Sequence, residues 1–179
     1  MAGEQKLFYA SLNRRLLAYL MDFVLFVLVI LPITERDVTE WKSFFIFLLT
    51  GLVSFCYKPF MEYKYGGTLG KLSLRLKCVN REFETITLQQ AVLRNISVLL
   101  PGIMIWLGEA CVFLCPEFNN AHSTAQFGGL LKQFPIFFTL YEISSFALII
   151  DCIFIRFDKE GRSLHDRIAQ TLVVYAPGK

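Results

Sequence analysis

Four carboxylates in apolar surroundings are the groups of this chain best placed to do chemistry. Asp22 interrupts an otherwise apolar run from Leu16 to Ile33, seven residues after Arg15. A spacing of seven returns to the same face of an α-helix, and Ala18 and Tyr19 share that face. A lone carboxylate at the centre of a membrane helix costs roughly 2.5–3.5 kcal/mol on insertion scales, so it persists where it faces protein, finds a partner or does work. Arg15 is the nearest partner in sequence and is expected to pair with it. Burial raises a carboxyl pKa and a neighbouring cation lowers it, so the pair could hold Asp22 in a titratable range. Asp151 lies five residues before Arg156. At about 1.5 Å per residue, Asp22 and Asp151 sit roughly 8–10 Å inside the same end of their helices. Glu109 and Glu142 fall in the opposite half. Two such levels could relay protons or small monovalent cations. The plainer reading is that each carboxylate hydrogen-bonds a neighbouring helix and pins the bundle.

The elements that must position these groups are membrane helices. The chain has 179 residues, 55% of them hydrophobic and only 18% charged, with 18 Phe. That balance departs from the soluble norm and bounds the chain at a single domain, 1–179. Apolar segments run from Leu16 to Ile33, Ser43 to Tyr57, Ile96 to Cys115 and Phe134 to Ile155. With the second extended through Met61 past a snorkelling Lys58, each approaches the ~17–25 residues that cross a bilayer. The fold class is therefore an all-α membrane protein with four spans, at about 16–33, 43–61, 96–115 and 134–155. The first is not read as a cleaved signal, since it carries Asp22 and ends at Pro32 without a small-residue cleavage pattern.

Orientation follows from the basic residues. Of 18 Lys and Arg, only Arg36, Lys42 and Lys132 fall in the connections after the first and third spans. The other fifteen precede the first span, lie in the loop 62–95 or its flank at Lys58, or follow the fourth span. The positive-inside rule then puts both termini and the central loop in the cytoplasm. Within that loop Leu72, Leu74, Leu76 and Cys78 alternate with polar residues, which predicts a strand. Asn80-Arg81-Glu82 would turn it back into 83–87 as a β-hairpin. Gln89, Gln90, Arg94 and Asn95 interrupt an apolar pattern and predict an amphipathic helix leading into the third span, which Pro101-Gly102 should bend. Ser163-Leu164-His165-Asp166 has the form of a capping box, and Leu172–Tyr175 could form a last short strand.

Other chemistries find little support. Gly66-Gly67-Thr68-Leu69-Gly70-Lys71 resembles a phosphate loop, but a Walker motif needs glycine where Tyr65 stands and Ser or Thr where Leu72 stands. His122 and His165 fall on opposite sides of the membrane and cannot share a catalytic site. Five cysteines, odd in number and mostly in apolar runs, imply neither disulfides nor a metal site. A net charge of +3 is too small and scattered for nucleic acid. No enzyme activity, metal or cofactor is expected.

Three ordered motifs carry a family resemblance. Arg14-Arg15-Leu16-Leu17-Ala18-Tyr19-Leu20-Met21-Asp22 resembles the opening helix of the RDD family of small membrane proteins. Gly67-Thr68-Leu69-Gly70-Lys71 is similar to its segment after the second span. Leu164-His165-Asp166-Arg167-Ile168-Ala169-Gln170-Thr171-Leu172-Val173-Val174 resembles its closing segment, where a glycine often stands in place of Gln170. The likeness covers about Ala10 to Val174. It implies a signature of Arg15 (with Arg14 beside it), Asp22 and Asp166, but little mechanism. The expected setting is a bacterial plasma (inner) membrane. The leading expectation is proton-linked transport of a monovalent cation by a homo-oligomer, in the manner of an antiporter, with Asp22, Asp151, Glu109 and Glu142 as the proton and ion site. The rival is a non-transporting accessory or assembly subunit that binds another membrane protein through the basic loop or the closing segment. The partners implied are the lipid bilayer, a second copy or another membrane protein, and protons with monovalent cations.

Overall fold

Helix α1, Leu12–Arg36, is apolar around most of its circumference and continues as a π-helical turn, Asp37–Trp41. The computed structural model describes residues 9–158 and 160–176, without the side chains of 147–149, 151 and 152. Lys42 ends the turn with a left-handed φ of 50°. Asp37 then accepts the Ser43 amide at 2.8 Å, and α2 follows over Phe44–Tyr65. Short helix α3 spans Leu69–Ser73, strand β1 Leu76–Asn80, and helix α4 Leu88–Arg94. After these come α5, Ile96–Phe113, a 3-10 turn at Pro116–Asn120, α6, Thr124–Leu131, and α7, Pro135–Phe157. Helix α8, Leu164–Ile168, and strand β2, Thr171–Tyr175, close the fold. Among the described residues, three helical stretches are long and apolar enough to cross a membrane: Leu12–Trp41, Phe44–Tyr65 and Ile96–Phe113.

Several expectations need correction. The second span is not short: α2 carries on through Pro59 to Tyr65, with the Lys58 ammonium 4.5 Å from the centre of the Tyr19 ring. The third ends at Phe113, which leaves Cys115 outside the helix it was expected to share with Cys111. Helix α4 ends at Asn95, and α5 runs through Pro101. The β-hairpin over 72–87 does not form. Leu72 and Ser73 belong to α3, whose N-terminus Thr68 caps, and Arg75 turns the chain with a φ of 57°. Phe83 adopts a φ of 63°, which no strand can continue, so 83–87 contributes only a bridge from Thr85 to Val79. Strand β1 pairs antiparallel with β2 across the length of the chain, Cys78 opposite Val173. The run Thr171-Leu172-Val173-Val174-Tyr175 is rich in β-branched and aromatic residues and fits that role.

The chain gathers into two compact units. The first comprises the described residues within Met1–Phe23, Tyr57–Asn95 and Ile149–Lys179. Its small sheet is packed on both faces. Leu76, Cys78 and Val173 bury against Ala10, Ala18, Ile86 and Ala91, while Val79, Leu172 and Val174 cluster together. The second comprises Val24–Cys56 and Ile96–Leu148. Its interior is aromatic: Phe47 stacks on Trp106 at 5.1 Å and on Phe113 at 4.6 Å, and Phe113 packs on Phe118 at 4.4 Å. Gly51 makes room for the Trp106 indole, since a Cβ there would lie 2.3 Å from Nε1.

Candidate functional site

The first unit holds a buried network of opposite charges, assembled from segments far apart in sequence. Ser163 and Asp166 form the expected capping box on α8, each satisfying the other's backbone amide. That geometry turns the Asp166 carboxylate inward, where it is fully buried. Arg15 Nη1, from the first turn of α1, donates to its Oδ2 at 2.6 Å, and Arg94 Nη2, at the end of α4, donates to its Oδ1 at 2.8 Å. The Thr171 hydroxyl lies 3.3 Å from the same Oδ1. Arg94 extends the chain of charges. Its Nε lies 3.2 Å from Glu62 Oε2, which also accepts from Asn95 Nδ2 at 2.8 Å. Lys71 Nζ reaches Glu62 Oε1 at 2.5 Å and the Cys78 thiol at 3.7 Å.

Electrostatics follow from this packing. Burial alone would raise the Asp166 pKa, but the Arg94 and Arg15 guanidiniums overcome it and hold the carboxyl well below its usual range. For Arg94, burial works against the charge, and the surrounding Cys78, Glu62 and Asp166 groups reverse that and raise its pKa. Burial pushes the Cys78 thiol up against the opposing pull of Arg94 and Lys71. Replacing either partner of such a pair leaves a buried charge without compensation, typically at about 3–5 kcal/mol.

Asp22 stands apart from this network. Its Oδ1 accepts the Gly70 amide at 2.8 Å and the Tyr57 hydroxyl at 3.0 Å. Tyr57 in turn accepts the Leu69 amide at 3.2 Å. The carboxylate therefore ties α1 to the end of α2 and the start of α3. The close approach depends on glycine, because a Cβ on Gly70 would lie 2.1 Å from the Ala18 carbonyl oxygen. The expected Arg15–Asp22 pair is not formed. A shared helix face brings two side chains near each other, but Arg15 lies in the first turn and reaches Asp166, while Asp22 meets Gly70 and Tyr57.

The model of the RDD family matches residues 9–170. The chain belongs to the RDD family. No curated protein and no solved structure matches it. In this RDD protein the three residues that the resemblance gives as the signature make two separate contacts within one unit, Arg15 with Asp166 and Asp22 with Tyr57 and Gly70. Arg14 is exposed and Arg15 largely buried, so geometry separates the two neighbouring arginines. Gln170 has a left-handed φ of 53° just past α8.

The remaining carboxylates are dispersed. Glu109 is half-buried on α5, without a hydrogen-bonding or ionic partner among the described residues, and Glu142 is exposed on α7. The side chain of Asp151 lies outside the described residues. Sequence reasoning missed Glu62, Arg94 and Tyr57. Glu62 carried a usable signal, being a carboxylate near the end of an apolar helix, as Asp22 is near the start of one. Arg94 was read only as a positive charge and as a polar residue of the amphipathic helix before the third span. Asp158 was missed as well: it accepts the Glu160 and Arg162 amides at 2.8 and 3.1 Å and pairs with Arg167. Burial opposes its ionisation, yet those amides and guanidiniums bring its pKa down to about 2.

Proposed function

We propose that this RDD protein is a membrane-embedded accessory subunit, without catalytic or transport activity of its own, that binds another membrane protein. Helix α7 serves as a fourth span in this reading, and the excess of basic residues sets both termini and the first unit on the cytoplasmic side. The observation that carries the reading is the engagement of the signature residues with one another and with backbone. One Asp22 oxygen receives both the Gly70 amide and the Tyr57 hydroxyl, and Arg15 is bound to Asp166 rather than poised beside Asp22. Such groups hold a scaffold together. Of the two expected docking segments, the closing one is used internally, with Asp166, Thr171, Leu172, Val173 and Val174 buried. The exposed turn carrying Arg81 and Phe83 is left as the partner-facing element.

The transport reading keeps one supporting observation: Glu109, half-buried on a membrane-length helix, has no partner among the described residues. One experiment divides the two. Wild-type protein in proteoliposomes with an imposed pH gradient should pass no Na⁺, K⁺ or Li⁺, and Arg81→Glu with Phe83→Ala should lose a membrane partner that wild type retains in mild detergent. Cation flux abolished by Glu109→Gln would overturn the accessory reading.

A further inference from the structure

Two buried guanidinium nitrogens flanking Asp166, Arg15 Nη2 and Arg94 Nη1, have no oxygen or nitrogen hydrogen-bond partner among the described residues, and Arg94 has the Cys78 sulfur beside it. Arg15 directs its Nε to the Ala10 carbonyl and Nη1 to Asp166. Arg94 directs Nε to Glu62 and Nη2 to Asp166. Both side chains are at least nine-tenths buried, with 10% and 1% exposure. Burying a charged donor without an acceptor is costly, and native proteins rarely leave one so.

The charge balance points independently in the same direction. Among the described residues, Arg15, Lys71 and Arg94 are ion-paired with Glu62 and Asp166. His165 Nε2 lies 3.7 Å from Asp166 Oδ1. Among the described residues, the other acidic group of the cluster is the Cys78 thiol, which burial drives toward its neutral form. Among the described residues, the cations of the network therefore outnumber its carboxylates by one, and an uncompensated buried charge is expensive.

We infer that Arg15 Nη2 and Arg94 Nη1 form a binding site for a singly charged phosphate oxyanion. A phosphate group fits both requirements. It supplies one negative charge and several acceptor oxygens, which planar guanidinium forks recognise better than they do a spherical halide. The group could be the phosphodiester of an anionic lipid headgroup or free inorganic phosphate. The inference does not depend on whether the protein transports or assembles.

The test uses the full-length, delipidated protein in maltoside detergent. Thermal melting is followed in sodium phosphate and in sodium chloride of equal ionic strength, and with phosphatidylglycerol or an uncharged glycolipid of the same acyl chains. A saturable rise in Tm of about 3 °C with phosphate over chloride, at several times Kd, is expected if the free ion binds. The same rise with phosphatidylglycerol alone, with the lipid retained in native mass spectrometry, assigns the site to a headgroup. Arg15→Lys keeps the charge but removes the second fork nitrogen, and it should abolish the phosphate-specific shift. Should that variant fail to fold, the wild-type comparison still decides. Equal melting in phosphate and chloride, together with no preference for phosphatidylglycerol, means that water satisfies these donors and overturns the inference.

Discussion

The two units of this protein solve the problem of a stable interior with opposite chemistries. In the first, Arg15, Glu62, Arg94 and Asp166 are buried and held by directional, charge-assisted bonds. In the second, Phe47, Trp106, Phe113 and Phe118 pack ring on ring, and no described ion pair joins its residues. Ring packing tolerates small adjustments, because dispersion and apolar burial are spread over many contacts. A buried charge network does not, since losing one member strands the others. The signature residues of the family fall in the intolerant unit.

The sharpest way to break this contrast is Arg94→Ala. It removes a cation shared by Glu62 and Asp166 and should destabilise the protein by about 3–5 kcal/mol in detergent-solubilised unfolding. Shortening a buried aromatic of the second unit, as in Phe47→Leu, should cost at most about 1.5 kcal/mol, because volume is largely retained. Equal losses would erase the distinction between the units.

Next in size is a pair of glycines. Gly70→Ala would press a methyl group against the Ala18 carbonyl, a backbone atom that cannot swing aside, and disturb the Asp22 contact as well. Gly51→Ala meets only the Trp106 side chain, which can shift. Overpacking typically costs about 1–3 kcal/mol. Gly70→Ala should lie at or above the top of that range and Gly51→Ala toward its bottom. The reverse order in melting temperature would contradict the geometry.

A pair of double-mutant cycles then sharpens the account of the signature. Arg15→Leu with Asp166→Leu should couple by about 1–3 kcal/mol, whereas Arg15→Leu with Asp22→Asn should be additive within about 0.5 kcal/mol. The amide oxygen of Asn can accept both bonds that reach Asp22 Oδ1, so Asp22→Asn alone should be mild. Strong coupling of Arg15 to Asp22 would restore the pair that helix spacing first proposed. The smallest expected effect is Gln170→Gly. A non-glycine residue in the left-handed region costs about 1–2 kcal/mol, partly offset by glycine's freedom in the unfolded chain. A gain of roughly 0.5–1 kcal/mol is expected, read as a modest rise in Tm.

Much of the fold was legible in the sequence because membrane helices announce themselves by length and uniform apolarity. Phe44–Tyr65 and Ile96–Phe113 could be placed to within about four residues at each end, whereas Leu12–Trp41 runs eight residues past the expected Ile33; the Ser163–Asp166 cap, which needs only contacts three residues apart, was placed as expected. The strand at Thr171–Tyr175 was legible for the same reason, from its β-branched run. Family membership was readable too, because three short motifs occur in a fixed order along the chain.

Partner choice was decided only by the tertiary structure. Arg15 and Asp22 share a helix face, yet Arg15 pairs with Asp166, 151 residues away, and Asp22 with Tyr57 and Gly70. Strand β1 likewise passes over the adjacent 83–87 segment for Thr171–Tyr175. Periodicity fixes the direction in which a side chain leaves its own helix, and local propensity fixes which residues can extend. Neither contains the distance to groups elsewhere in the chain. A buried charge settles where desolvation is best repaid by several donors at once, and only the folded chain brings those donors together.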